Sequence, residues 1–296
     1  MRAFELYTAK DSRHAVALLA EHGPLVKVLA GGTDLLADLK STADAPQAVV
    51  DISRAADMRQ IEVTGRGLSI GALVTHTEIM RSSLIREMFP ALVDAAHTIG
   101  AVQTRNLGTL GGNLVTGVPS MDSGPTLVAL DATVTIAGAG GSRQLPLSEF
   151  FLAPRKTVLK PDELLTEIVI PAQNLGKPAH FVKFGLRKGQ ALALVNVAAS
   201  LWIDGDRRVF KAPRIALGAV APIIIRAAAA EAYLEGRAVS PAAMAEAARI
   251  AVTDAKPISD FRASAAYRRD LIAVLTRRAL AGACALAAAK RGEKSK

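Results

Sequence analysis

Ala30-Gly31-Gly32-Thr33-Asp34-Leu35-Leu36 follows a run of strand-forming residues and precedes a helical pattern. Two adjacent glycines let the main chain come close to a ligand with its N–H groups pointing outward. A helix opening directly behind them adds partial positive charge, which favours a phosphate. Thr33 and Asp34 are expected to cap that helix. An ordinary strand-to-helix turn has the same local pattern, so the stretch needs a second element before it reads as a nucleotide site. Working outward, residues 1–55 alternate like a small α/β unit: strand 4–6, helix 12–22, strand 25–30, helix 35–40 and strand 48–51.

The second element is Asn106-Leu107-Gly108-Thr109-Leu110-Gly111-Gly112-Asn113. Its three glycines are expected to leave N–H donors free, and Thr109 and Asn113 add neutral hydrogen-bonding side chains. Such a loop suits a pyrophosphate and sugar hydroxyls without a lysine. Neither stretch ends in Gly-Lys-Ser/Thr, so P-loop chemistry is not expected. A Rossmann site would carry its whole fingerprint in one βα turn. Two loops far apart in sequence that share one ligand fit a long, two-phosphate molecule such as FAD. Two other glycine clusters read as turns. Gly65-Arg66-Gly67 lies between strands 61–63 and 68–70, and Gly138-Ala139-Gly140-Gly141 follows strand 133–137.

Composition narrows the function further. The net charge is +9 and the pI about 9.9, but the basic residues are dispersed and only 4% of residues are aromatic, so no nucleic-acid surface is expected. The sole cysteine, Cys284, allows no internal disulfide, no iron–sulfur cluster and no Cys-based zinc site. The histidines show no metal-ligand spacing, and no metal site is expected. The most apolar stretches, 191–203 and 215–225, are short or interrupted by Asn196 and Pro222, so no membrane span is expected. No signal peptide opens the chain, which points to the cytoplasm. Beyond 55, helices are expected at 75–81 and 90–99, and a glycine-rich stretch covers 100–124. A linker lies near Pro178, strands at 180–186, 195–203 and 214–220, and Ala-rich helices at 224–234, 241–253 and 265–289.

The pairing of 30–36 with Gln103-Thr104-Arg105-Asn106-Leu107-Gly108-Thr109-Leu110-Gly111-Gly112-Asn113 resembles the medium, FAD-binding subunit of the molybdenum hydroxylases, the family of carbon monoxide dehydrogenase and xanthine dehydrogenase. The likeness continues through 119–125, Leu127–Leu130, Ala132-Thr133-Val134 and Pro161-Asp162-Glu163-Leu164-Leu165-Thr166-Glu167-Ile168-Val169-Ile170-Pro171. It covers most of the chain and is far more specific than either glycine loop.

The resemblance implies an α+β flavoprotein: a two-part FAD-binding domain of the vanillyl-alcohol-oxidase (PCMH) type, then a C-terminal sheet-plus-helices domain. Residues 1–55 would form the first FAD-binding subdomain, 56–175 the second, and 176–296 a C-terminal domain with a three-stranded sheet. Ala30, Gly31, Gly32, Thr33, Asp34, Leu35 and Leu36 would wrap the pyrophosphate. Thr109, Gly111, Gly112 and Asn113 would approach it from the other side. Asp122 matches an acceptor for sugar or ribityl hydroxyls, with a turn-capping Asp as the alternative. Leu165 matches a contact to the adenine or flavin rim, and a plain core leucine reads the same. Lys183 matches a lysine near the flavin, against an exposed strand lysine. Ile99 stands where some NAD-reducing relatives place an aromatic ring, which puts NAD use in doubt.

The implied function is electron relay by an FAD-dependent oxidoreductase subunit with no catalytic acid, base or nucleophile of its own. A large partner would carry the molybdenum cofactor and a small partner [2Fe–2S] clusters, together as a dimer of heterotrimers. FAD would pass the electrons to an external acceptor. Two alternatives stay open on sequence: a self-contained flavin oxidoreductase of the same superfamily, and a non-catalytic scaffold subunit.

Overall fold

The computed structural model describes residues 3–41, 46–205 and 207–294. The first lobe is β1 (Glu5–Thr8), α1 (Ser12–His22), β2 (Val26–Leu29), α2 (Leu35–Ser41) and β3 (Ala48–Asp51). Its three strands form a parallel sheet in the order β1-β3-β2, as two successive β-α-β crossovers require. Asp11 caps α1 by accepting from His14 N at 2.7 Å. The apolar face of α1, Ala15, Val16, Leu18 and Leu19, packs on Val26, Ala48 and Val50. The same core takes in Met58, Leu73 and Leu164 from the second lobe, so the two lobes share buried apolar surface.

The second lobe opens with the hairpin β4 (Ile61–Thr64) and β5 (Gly67–Gly71) and then runs through six short helices. These are α3 (His76–Arg81), α4 (Ser83–Met88), α5 (Pro90–His97), α6 (Val102–Leu107), α7 (Leu110–Thr116) and α8 (Ser123–Ala129). It closes with β6 (Thr133–Gly138), β7 (Gly141–Pro146), the small hairpin β8 (Phe151–Ala153) and β9 (Lys156–Thr157), and β10 (Leu164–Pro171). The main sheet is antiparallel, in the order β4-β5-β10-β6-β7. Both glycine clusters expected as hairpin turns lie in such turns. The glycine-rich stretch 100–124 is largely helical: Gly111, Gly112 and Asn113 form the first turn of α7.

The third part comprises β11 (Ala179–Phe184), β12 (Val195–Ile203), β13 (Phe210–Gly218), β14 (Ile225–Arg226), α9 (Ala228–Leu234), α10 (Pro241–Asp254) and α11 (Ala265–Lys294). Its antiparallel sheet has four strands, β11-β12-β13-β14, where three were expected. The helix expected from 224 starts at Ala228, because Ile225 and Arg226 pair with Leu217 and Ala216. The run Ile223-Ile224-Ile225 is β-branched and favours that extended backbone.

β12 is buried on both faces, which explains its nearly unbroken apolar sequence. Val195, Val197, Ala199 and Leu201 face the terminal helices, and Ala198 joins the core of the second lobe. On that second face Asn196 donates to the Met121 carbonyl at 2.9 Å, and Ser200 to the Ala129 carbonyl at 2.5 Å. Among the described residues, the longest apolar helical segment is not one of the apolar stretches singled out above: Ala265–Lys290 of α11 is long and apolar enough to cross a bilayer by length and composition alone. Its face of Ile272, Leu275, Ala279, Leu280, Ala283 and Ala287 is buried in the core against the sheet.

Candidate cofactor groove

A groove runs between the first two lobes. One wall is the end of β2 and the start of α2: Ala30, Gly31, Gly32, Thr33, Asp34 and Leu35. The other is the start of α7, with Thr109, Gly111, Gly112 and Asn113, and the start of β10, with Leu164 and Leu165. The two glycine-bearing stretches thus face one another.

The lobes touch where Gly31 meets the end of α6. A Cβ on Gly31 would stand 1.9 Å from the Leu107 carbonyl oxygen, so only glycine permits this approach. Gly32 adopts φ +71°, which turns the chain into α2. Leu36 N donates to the Gly32 carbonyl at 3.1 Å and Asp38 N to the Asp34 carbonyl at 2.9 Å. Among the described residues, the N–H groups of Gly32, Thr33, Asp34 and Leu35 meet no protein acceptor. The side chains of Thr33 and Asp34 do not cap the helix, contrary to expectation; no such bond forms among the described residues. The first turn of α2 therefore presents four unspent donors and the positive end of its peptide dipoles to the groove.

The opposite wall behaves differently. Leu110 N donates to the Val74 carbonyl at 2.8 Å, and Gly111 N to the Ala72 carbonyl at 2.9 Å. Gly112 N donates to Thr109 Oγ1 at 3.1 Å, the N-cap bond of α7. The free donors expected at Gly111 and Gly112 are thus already used within the protein. Gly111 serves close packing, since a Cβ there would lie 2.6 Å from Ala72 Cβ and 2.7 Å from its carbonyl oxygen. Asn113 keeps a group for a ligand: its Oδ1 accepts from Ser123 Oγ at 2.6 Å, and Nδ2 remains unspent among the described residues.

Three anticipated residues do not line the groove. Leu36 lies against Gly32 on the helix side. Asp122 and Lys183 form a buried ion pair of 2.5 Å, with side chains 6% and 8% exposed. Lys183 is therefore not the exposed strand lysine of the alternative reading. Its Nζ also donates to the Thr98 carbonyl at 3.1 Å, and Asn196 Nδ2 donates to Asp122 Oδ1 at 2.9 Å. Each Asp122 oxygen thus already accepts one hydrogen bond from the protein. Burial pushes this carboxyl above the usual carboxylate range, with Lys183 opposing it. The bond to Thr98 ties the pair to the chain next to Ile99, which is on the groove wall.

The structure adds wall residues that the motifs did not single out: His76, Asp38, Arg155, Thr104 and Glu163 among them. Arg155, at the tip of the β8–β9 hairpin, reaches Asp38 of α2 at 3.3 Å and bridges the lobes. Glu163 is held by Arg143 at 2.8 Å. His76 opens α3 behind the capping box of Thr75 and Glu78, and that T-x-x-E pattern was the available sequence signal. Nothing local marks Arg155, because a hairpin tip gives no cue to what it faces.

These features fit a long anionic ligand: unspent N–H groups at a helix start, a glycine seam, an amide donor opposite, and apolar walls at Val28, Ile52, Leu73, Ile99, Leu159 and Leu165. Comparisons with known proteins agree. Residues 2–173 match the FAD binding domain in molybdopterin dehydrogenase, and residues 180–283 the CO dehydrogenase flavoprotein C-terminal domain. The carbon monoxide dehydrogenase medium chain of Hydrogenophaga pseudoflava is 32% identical over 95% of this chain and 97% of its own. The xanthine dehydrogenase FAD-binding subunit of Escherichia coli O157:H7 is 33% identical over 93% and 94%. In structure, the chain matches carbon monoxide dehydrogenase from Hydrogenophaga pseudoflava with a TM-score of 0.91 at 33% identity, covering 96% and 98% of the two chains. It matches quinoline 2-oxidoreductase from Pseudomonas putida 86 with 0.89 at 29%, covering 97% and 98%.

Proposed function

Because this chain belongs to the family of FAD-binding medium subunits of molybdenum hydroxylases, we propose that the groove between its first two lobes holds FAD and that its task is to relay electrons. It is an oxidoreductase subunit, and FAD is its cofactor. The observation that carries the groove assignment is the start of α2, where four unspent N–H groups face the α7 wall across the seam.

In this reading Gly32, Thr33, Asp34 and Leu35 donate from the main chain to the pyrophosphate. Asn113 Nδ2 supplies a hydrogen bond from the opposite wall. Thr109, Gly111 and Gly112 shape that wall and hold it against the segment 72–75 that follows β5. Leu165 packs against the ring system at one rim, and Ile99 borders it elsewhere. Asp122 and Lys183 act as a buried pair by fixing the Thr98 carbonyl, next to Ile99 in the chain. When bound, FAD supplies a carrier that takes up and releases electrons, while the protein binds and orients it and excludes water.

The partners are a large molybdenum-cofactor subunit and a small [2Fe–2S] subunit. We place the assembly as a dimer of heterotrimers in the cytoplasm, with electrons entering from the small subunit's clusters and leaving to an external acceptor. We divide the chain into 1–55, 56–175 and 176–296, a division supported by the separate sheets β1-β3-β2, β4-β5-β10-β6-β7 and β11-β12-β13-β14. The test is titration of the deflavinated chain with FAD. Saturable binding at one FAD per chain, weakened by changes at Gly32 and Asn113, supports the assignment. Undiminished binding in both folded variants overturns it.

A further inference from the structure

His76 is the first residue of α3, and its side chain lines the groove at the seam. The residue is 1% exposed. Its backbone N–H donates to the Gly108 carbonyl at 3.1 Å, which fixes it beneath the turn between α6 and α7. A Cβ built on Gly108 would lie 3.5 Å from His76 Cδ2 and 3.5 Å from Thr33 Oγ1. The imidazole thus sits where the second lobe meets the first glycine stretch. Its Nδ1 is enclosed without a hydrogen-bond partner, and the ring makes no hydrogen bond to any described residue.

Neither the helix nor the core needs an imidazole here. The capping box is complete with Thr75 and Glu78, so residue 76 has no capping duty. An aliphatic side chain would fill the space without leaving a polar ring unpaired, and buried polar groups without partners are rare in folded proteins. Burial, reinforced by the Arg105 guanidinium, lowers its pKa to about 4. It is therefore a neutral imidazole; Nδ1 is enclosed, and Nε2 is the ring nitrogen left to meet a ligand. The unspent donors of the α2 start lie on the same seam, so a ligand spanning them passes His76.

We propose that His76 is a further residue of the cofactor site, hydrogen-bonding through its ring to an oxygen of the bound FAD where the two lobes meet. This rests on the reading of the groove as the FAD site. His76 then completes a set of neutral donors from three elements: the start of α2, Asn113 of α7 and His76 of α3. No catalytic part in electron transfer follows; the residue positions the cofactor.

The experiment uses the full chain stripped of flavin, titrated with FAD and followed by flavin fluorescence, with the thermal midpoint of the flavin-free protein measured alongside. His76→Leu removes both ring nitrogens, and His76→Gln keeps a neutral donor and acceptor. The proposal expects His76→Leu to raise the FAD Kd about tenfold or more, with an unchanged or higher flavin-free midpoint. His76→Gln should recover most of the affinity. An FAD Kd within twofold of wild type in His76→Leu overturns the proposal. A weakened Kd that His76→Gln does not restore, accompanied by a lower flavin-free midpoint, also overturns it and makes the residue structural. Failure of the unmodified chain to bind FAD at all would instead contradict the assignment of the groove.

Discussion

Gly32 and Gly111 carry the same letter and do different work. Gly32 has a positive φ and an unspent N–H, and an added Cβ would first meet the Leu29 and Leu36 side chains, at 3.0–3.2 Å. Gly32→Val should leave a folded chain, weakened by about 1–2 kcal/mol from the left-handed backbone. FAD affinity should fall more than tenfold, read by flavin titration. Gly111→Val drives its side chain into the Ala72 main chain, so the thermal midpoint itself should collapse; stability losses from such overpacking run to about 1–3 kcal/mol or more. Similar midpoints for the two variants would contradict this division. The pairs of glycines were legible in the sequence, because repeated loss of a side chain signals close main-chain approach. Which glycine faces the ligand was not legible, since it depends on Leu107 and Ala72 arriving from elsewhere.

At the scale of elements, the groove is closed at one side by the β8–β9 hairpin, whose Arg155 reaches Asp38 on α2. Both side chains are more than half exposed, so the pair contributes under about 1 kcal/mol to folding. Arg155 holds φ +58° at the tip, and its N–H donates to the Gly117 carbonyl at 2.9 Å, so the hairpin aims it at the groove mouth. Arg155→Ala is expected to speed FAD release about three- to tenfold, through loss of a charge-assisted contact to an anionic ligand. The thermal midpoint of the flavin-free chain should barely move; stopped-flow displacement of FAD checks the rate. An unchanged release rate would remove Arg155 from the site. Strands and hairpins with alternating or β-branched residues were readable from pattern. The helices α6 and α7 were not, because glycines at 108, 111 and 112 give a loop signature to what is a helix end and a helix start. β14 was missed because an Ala-rich helix follows at once and masks a two-residue strand.

The whole molecule is held together by polar contacts between parts as well as by shared core. Asp131, between α8 and β6, receives Arg214 of β13 at 3.0 Å and Arg226 of β14 at 3.3 Å. Arg226 also pairs with Glu231 of α9. Lys177 sits in this junction, 1% exposed, with its Nζ buried and unpartnered. Burial lowers its pKa from 10.5 to about 8, with Asp131 opposing. A lysine whose folded pKa is depressed costs stability below pH 8, where both states are protonated, and the cost fades between about pH 8 and 10.5. Lys177→Met should therefore raise stability at pH 7 by about 1–3 kcal/mol and flatten the rise in thermal midpoint across that window. A lower midpoint at pH 7 would show that the charge stabilises the junction. Arg226 and Glu231 lie only 5 residues apart, but Asp131, Lys177 and Arg214 come from distant parts of the sequence, so the junction was invisible there, while the long co-linear string from 103 to 171 carried the family resemblance. The relay reading depends most on what the purified chain contains. Its visible absorption spectrum, with the extracted cofactor identified by mass, is expected to show one FAD per chain and no iron–sulfur absorption. A colourless chain that also fails to take up added FAD would contradict the account.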